Sequence, residues 1–240
     1  MQYTQQQILE YMRCSEDPIY FIEKYIKLHT PDGITPFALY PYQKKYLHAV
    51  HNADNTPLLG AFARQMGMTS MLCAYSLWKA IFRGQTKTLI IGFSQTHIQS
   101  VMSLFYSMHD LLPKWLQSEM IQRTKFGCTL ENRSSVQVQT ASLNSGRGMT
   151  NVWIDEPAQV FKSKEAHGML ASIVPCLSAA GGSLILAGSG PDVLPLAKHF
   201  SYCNIFRAGW RAVPGRDEAW AEHQIAVLGK ERFRKEYELD

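Results

Sequence analysis

The sequence has no C-x-x-C pair, and its five cysteines (Cys14, Cys73, Cys128, Cys176, Cys203) are odd in number and scattered. That spacing argues against a structural zinc site or a disulfide framework and fits a reducing, cytosolic setting. No apolar run reaches the ~18–20 residues needed to span a bilayer. The start, Met1-Gln2-Tyr3-Thr4-Gln5, lacks the basic and then apolar segments of a signal peptide. Charge is sparse as well: 18% of the 240 residues are charged and 46% are hydrophobic, which excludes a disordered chain and leaves enough apolar material for a sizeable core. The net charge of +4 leans only mildly toward polyanionic partners. There is no internal repeat, no low-complexity segment and no linker dividing the chain.

Periodicity supplies the rest. Residues 5–30 read as helical, with Asp17-Pro18 as a helix start, and Pro31-Asp32-Gly33 reads as a turn. A helix is expected from Leu39 through Leu47, and a short buried strand at Leu58–Phe62. The chain then alternates: helix Thr69–Phe82, strand Thr86–Gly92, helix 95–112. Strand Ser135–Thr140 is expected to form a hairpin with Cys128–Glu131. Strands follow at Asn151–Ile154, Ser183–Ala187 and Asn204–Ala208, with an amphipathic helical tail from Asp217 to Leu239. Alternating strands and helices predict an α/β domain with a mainly parallel sheet, whose ligands bind beyond the carboxyl ends of the strands.

Five segments fall where such chemistry would sit. Ala63-Arg64-Gln65-Met66-Gly67-Met68-Thr69-Ser70 lies between a strand and a helix, as a phosphate-binding loop must. Gly67 and Thr69 fit the G-x-x-x-x-G-K-[ST] pattern, but Phe62 replaces its first glycine and Met68 its lysine. Asp155-Glu156 ends an apolar strand, where one carboxylate can support Mg²⁺ and the other can activate water; an N-cap pair would look the same. Tyr40-Pro41-Tyr42-Gln43 offers an amide and rings suited to adenine, or a plain helix start. Arg147, between Gly146 and Gly148, has the setting of an arginine finger, or of a solvated turn. Gly188-Ser189-Gly190 could sense a γ-phosphate, or be a turn. His48 and His51 lack further ligands at metal spacing and read as surface residues.

The order of these segments is that of RecA-like and helicase-like motors. Leu39–Gln43, the Arg-Gln-x-Gly form of the loop at Arg64–Gly67, Arg147–Thr150, Trp153–Ala158 and the tail Leu228–Tyr237 resemble the large terminase subunits of tailed bacteriophages over nearly the whole chain. The resemblance implies a RecA-like, ASCE-type P-loop NTPase: a single ATPase domain over 1–240. Within it, 1–37 would be a helical N-terminal extension, 38–210 the RecA-like core, and 211–240 C-terminal helices leading to an absent nuclease domain. It implies ATP and Mg²⁺ as cofactors. Gln43, Gln65, Met66, Gly67, Met68, Thr69 and Ser70 would bind nucleotide, and Thr69 and Asp155 would support the metal. Glu156, Arg147 and Arg64 would be catalytic, and Ser189 would couple hydrolysis to movement. The implied partners are double-stranded DNA, the portal protein, the small terminase subunit and further copies of the chain in a pentameric ring. The implied place is the cytoplasm of the infected host, transiently on the procapsid.

Met68 departs from that pattern. A lysine there would donate charge-assisted hydrogen bonds to phosphate worth roughly 1.5–3 kcal/mol each, so its loss weakens nucleotide binding by about one to two decades. Hydrolysis should suffer more, because charge grows on the phosphoryl oxygens in the transition state. Three explanations stand side by side: an engineered inactivation, a natural variant in which Arg64 or another cation substitutes, or an inactive relative that only binds DNA or the portal. A fragment of a superfamily-2 helicase is the alternative enzyme.

Overall fold

The computed structural model describes residues 3–53, 55–142 and 148–239. Two short helices open the chain, α1 (Gln5–Glu16) and α2 (Pro18–Tyr25), started by Thr4 and Asp17 side chains that accept backbone N–H groups of the first turn. The hairpin β1 (Lys27–Thr30) and β2 (Gly33–Pro36) follows, closed by Gly33 at φ +110°. The helical expectation for 5–30, and for the N-terminal extension as far as 37, therefore fails after Tyr25. The Pro31-Asp32-Gly33 turn lets Lys27–Thr30 pair with Gly33–Pro36, and the ladder hydrogen bonds replace those of a helix.

The core begins with α3 (Pro41–His51), β3 (Leu58–Phe62), α4 (Met68–Phe82), β4 (Lys87–Gly92) and α5 (Gln95–Asp110). A three-stranded antiparallel meander follows, β5 (Met120–Thr124), β6 (Gly127–Leu130) and β7 (Ser135–Thr140). Then come β8 (Asn151–Asp155), α6 (Pro157–Val160), α7 (Lys164–Ala180), β9 (Ser183–Ser189), a 3₁₀ stretch Pro191–His199, and β10 (Asn204–Ala208). The chain closes on α8 (Glu218–Leu228), α9 (Lys230–Phe233) and a π-helical turn Arg234–Glu238. The eight-stranded sheet runs β10-β3-β9-β8-β4-β7-β6-β5, parallel from β10 to β7 and antiparallel at the β6–β5 edge. This is the predicted mainly parallel RecA-like sheet flanked by helices.

Both faces are covered, as buried parallel strands require. Along β3, β4, β8 and β9 alternate residues point to opposite sides. Leu58, Phe62, Ile90, Trp153 and Ile185 join the cluster under α1–α5, while Leu59, Leu89, Val152, Ile154 and Leu186 join the one under α6 and α7. Gly60 has no side chain because a Cβ there would stand 2.5 Å from the Phe62 ring and 2.8 Å from the Tyr46 hydroxyl. Among the described residues no helix is long and apolar enough to cross a membrane. The carboxyl ends of β3, β9, β8 and β4 share one rim, which brings residues 62–69, 155–156, 188–190 and 92–97 together.

Candidate nucleotide site

The chain leaves β3 at Phe62 and enters α4 through a turn in which Gln65 (φ +59°) and Gly67 (φ +70°) are left-handed. Gly67 is the N-cap and has no side chain to satisfy the first amides of α4. Among the described residues the N–H groups of Gln65, Met66, Gly67, Met68 and Thr69 have no hydrogen-bond partner. Free amides at the positive end of a 15-residue helix form an anion cradle. The carbonyls of the same loop are all engaged. Met66 O accepts from the Tyr42 hydroxyl (2.6 Å) and Gln43 Nε2 (3.0 Å), while Arg216 donates to Arg64 O (3.2 Å) and Gln65 O (3.0 Å).

Across the rim, Asp155 ends β8 with 2% of its surface exposed. Thr69 Oγ1 donates to its Oδ2 at 3.1 Å, and His97 Nε2 donates to the same oxygen at 3.0 Å. Glu156 is left-handed (φ +52°, ψ +56°), a strained conformation for a residue with a side chain. Its carboxylate is held by Ser189, whose N–H (3.1 Å) and Oγ (3.0 Å) both donate to it. Burial pushes the Glu156 carboxyl above its ordinary range and the neighbouring Asp155 adds to this, against the Ser189 hydrogen bonds. Gly188 permits the approach, since a Cβ there would stand 2.7 Å from Pro157 and 3.1 Å from the Glu156 backbone.

The structure therefore gathers most of the expected residues: Gln65, Gly67, Thr69, Asp155, Glu156 and Ser189 line one cleft, with Met66 and Met68 beside them. Ser70 follows in the first turn of α4. A hydroxyl and a carboxylate at 3.1 Å are hard oxygen donors suited to Mg²⁺, which takes few protein ligands and completes its shell with water and phosphate oxygens. Among the described residues there is no cluster of three or more His, Cys, Asp or Glu that could hold a metal ion.

Other expected residues are placed differently. Met68 is 8% exposed and packs into the apolar cluster under α4, so no cation lines the cleft among the described residues. Arg64, expected as a catalytic cation, is half-exposed and paired with Glu236 at 3.1 Å, and does not line the cleft. Gln43 is 1% exposed, with its Oε1 taken by the Tyr40 N–H and one amide proton by Met66 O, so its amide braces the loop and keeps a single uncommitted N–H. Arg147 lies outside the described residues. Sequence reasoning missed two contributors. His97 reaches Asp155 from the start of α5, over Gly92, where a Cβ would meet its ring at 2.5 Å; its position just beyond a strand's carboxyl end was the available signal. Arg216 left no local signal.

Known proteins bear on this geometry. Residues 59–176 match the family described as "Terminase large subunit, T4likevirus-type, N-terminal". The fold is similar to the large terminase ATPase domain of Thermus phage P74-26 (16% identity, TM-score 0.62), covering 85% of this chain and 94% of that one. It is also similar to the large terminase of bacteriophage HK97 (18% identity, TM-score 0.68), covering 94% of this chain and 54% of that one. A third likeness is to the large terminase of another thermophilic bacteriophage, solved in complex with ADP (10% identity, TM-score 0.58), covering 85% of this chain and 53% of that one. The chain thus spans about half the length of the HK97 protein and of the ADP-bound one. The matched segment, just under half of the chain, holds the Gly67 loop, Asp155 and Glu156 and is similar to the N-terminal part of terminase large subunits; the chain shares the fold of the terminase ATPase domains.

Proposed function

We propose that this chain is the Mg²⁺-dependent, ATP-hydrolysing motor domain of a phage terminase, acting as one unit over 1–240 to drive double-stranded DNA into a procapsid. The observation that carries the reading is the convergence of the uncommitted amides around Gly67 with Thr69, Asp155 and Glu156 at one rim of the sheet. The amides of 65–69 would hold phosphate oxygens, with the N-terminal end of α4 adding favourable charge. Thr69 and Asp155 would hold Mg²⁺, which supplies charge neutralisation on the phosphates when bound. Glu156 would accept the proton of the attacking water; burial makes it a stronger base than an exposed carboxylate. Ser189 is its hydrogen-bond partner, so a change at Glu156 is felt at the end of β9 and in the 3₁₀ stretch that follows. Arg147 would act in trans from a neighbouring subunit of a pentameric ring on the portal. The small subunit would join the assembly in the host cytoplasm.

Met68 sets the rate. With methionine packed in the apolar cluster and no cation lining the cleft among the described residues, the chain should bind Mg-nucleotide and turn it over slowly. The same observation favours a second reading, a relative that binds nucleotide without hydrolysing it. Turnover of Mg-ATP by the chain and by Met68→Lys separates the two. The motor reading expects a gain of about tenfold or more on restoring lysine, from one charge-assisted hydrogen bond strengthened in the transition state. No gain, with nucleotide binding intact, supports the second reading.

A further inference from the structure

Arg216 stands between the 3₁₀ turn Trp210–Ala212 and the start of α8, some 150 residues along the chain from the loop it touches. Its two terminal nitrogens donate to consecutive carbonyls, Nη1 to Arg64 O at 3.2 Å and Nη2 to Gln65 O at 3.0 Å. The guanidinium is also steadied from its own segment, 4.8 Å from the Trp220 ring centroid and 5.9 Å from that of Tyr237. Those rings pack with Trp210 and Phe233 into an aromatic cluster, so the donor is anchored on a rigid base. Two successive carbonyls can meet one planar fork because Gln65 between them is left-handed, a conformation unfavourable for a residue with a side chain.

We propose that Arg216 is a positioning residue for the phosphate loop. By holding the outward carbonyls of Arg64 and Gln65 it fixes the peptide planes whose amides face the cleft. Together with Tyr42 and Gln43 on Met66 O, it gives three consecutive loop carbonyls a side-chain donor, and it supplies two of them alone. The C-terminal helices thereby become part of the nucleotide site without touching nucleotide. The inference rests on the nucleotide-binding reading for its effect on ligand, but the geometry of the loop is tested without one.

Two readouts separate these layers: affinity for fluorescent methylanthraniloyl-ADP with Mg²⁺, and amide hydrogen exchange in nucleotide-free protein at Arg64 and Met71. Those two N–H groups bond to Glu236 O and Gly67 O at either end of the loop. Arg216→Ala should weaken affinity about tenfold and speed exchange at both amides, and Arg216→Lys, able to serve one carbonyl at a time, should fall between. Arg211→Ala, on the same segment and paired with Glu218, should change neither. Parent-level affinity and exchange in Arg216→Ala overturn the proposal. If Arg216→Ala also exposes the amides of α8, Arg216→Lys decides: weakened affinity with α8 protected supports positioning, and parent affinity overturns it. A parent chain that binds no Mg-nucleotide sinks the functional reading, and exchange at Arg64 and Met71 then decides the role of Arg216 alone.

Discussion

Strand β8 carries Asn151 at one end and Asp155 at the other, and the two are held in different ways. Asn151 is engaged on both sides of its amide. Its Oδ1 accepts from Lys79 and from Ser183 Oγ (2.9 Å), and its Nδ2 donates to Thr150 Oγ1 (2.9 Å). Thr150 in turn takes the Lys87 N–H at 2.9 Å, so β4, β8 and β9 are laced together at their amino ends. At the carboxyl end the polar groups are held but not used up: Asp155 meets Thr69 and His97, Glu156 meets Ser189, and the loop amides opposite have no partner among the described residues. At this second rim Gln65 and Glu156 are left-handed, as Gln85 and Asn55 also are in the turns that lead into β4 and β3. One end of the sheet stabilises the fold, and the other holds binding capacity in reserve, at a conformational cost the buried strands sustain.

Variants at the two ends should separate stability from chemistry. The largest effect is expected for Asp155→Asn in the Met68→Lys background: Mg-ATP turnover should fall about a hundredfold or more, with Tm within about 3 °C of its parent. Asn151→Ala should do the reverse. It leaves the part-buried Lys79 ammonium without its acceptor and should cost about 1–3 kcal/mol in urea unfolding, while Mg-nucleotide affinity stays within about twofold. A shared loss of stability and binding in Asn151→Ala would dissolve the contrast.

A pH series sharpens it further. Burial, with Arg83 nearby, lowers the Lys79 ammonium to about 8 from its ordinary 10.5. Between those values the unfolded chain binds more protons than the folded one, so stability attributable to Lys79 should rise with pH across that window. Measured as the difference between the parent and Lys79→Met, the rise should amount to about 2–3 kcal/mol and vanish in the variant. The smallest effect is expected at Glu156. Its carboxyl is raised by burial, so its share of stability is present at low pH and lost as pH rises through the folded value. Glu156→Gln should therefore be neutral or up to about 1 kcal/mol more stable at pH 7 in urea unfolding.

The sheet was legible because its central strands are short apolar runs ended by turn residues, as at Leu58–Phe62 and Ser183–Ala187. The candidate site was legible where it follows such an end directly: Gly67 and Thr69 after β3, Asp155 and Glu156 after β8, Ser189 after β9. What escaped has physical reasons. Helix α7 carries Pro175 and Gly168, which blur its pattern, and it received no assignment. Strand β5 is an edge strand exposed along most of its length, so it has no apolar alternation to read. The β1–β2 hairpin follows helical spacing that continues past Tyr25 in sequence but not in space. The Arg64–Glu236 pair and the reach of Arg216 to the loop have no local signal, because the partners lie at opposite ends of the chain.

The most direct measurement is a calorimetric titration of the parent chain and of Asp155→Asn with ADP, each with Mg²⁺ and with EDTA. If the carboxyl-end rim is a metal–nucleotide site, the parent binds one ADP with Mg²⁺, binds it at least tenfold more weakly in EDTA, and Asp155→Asn loses the metal-dependent part. Absence of binding by the parent, or equal affinity in all four titrations, would contradict the account.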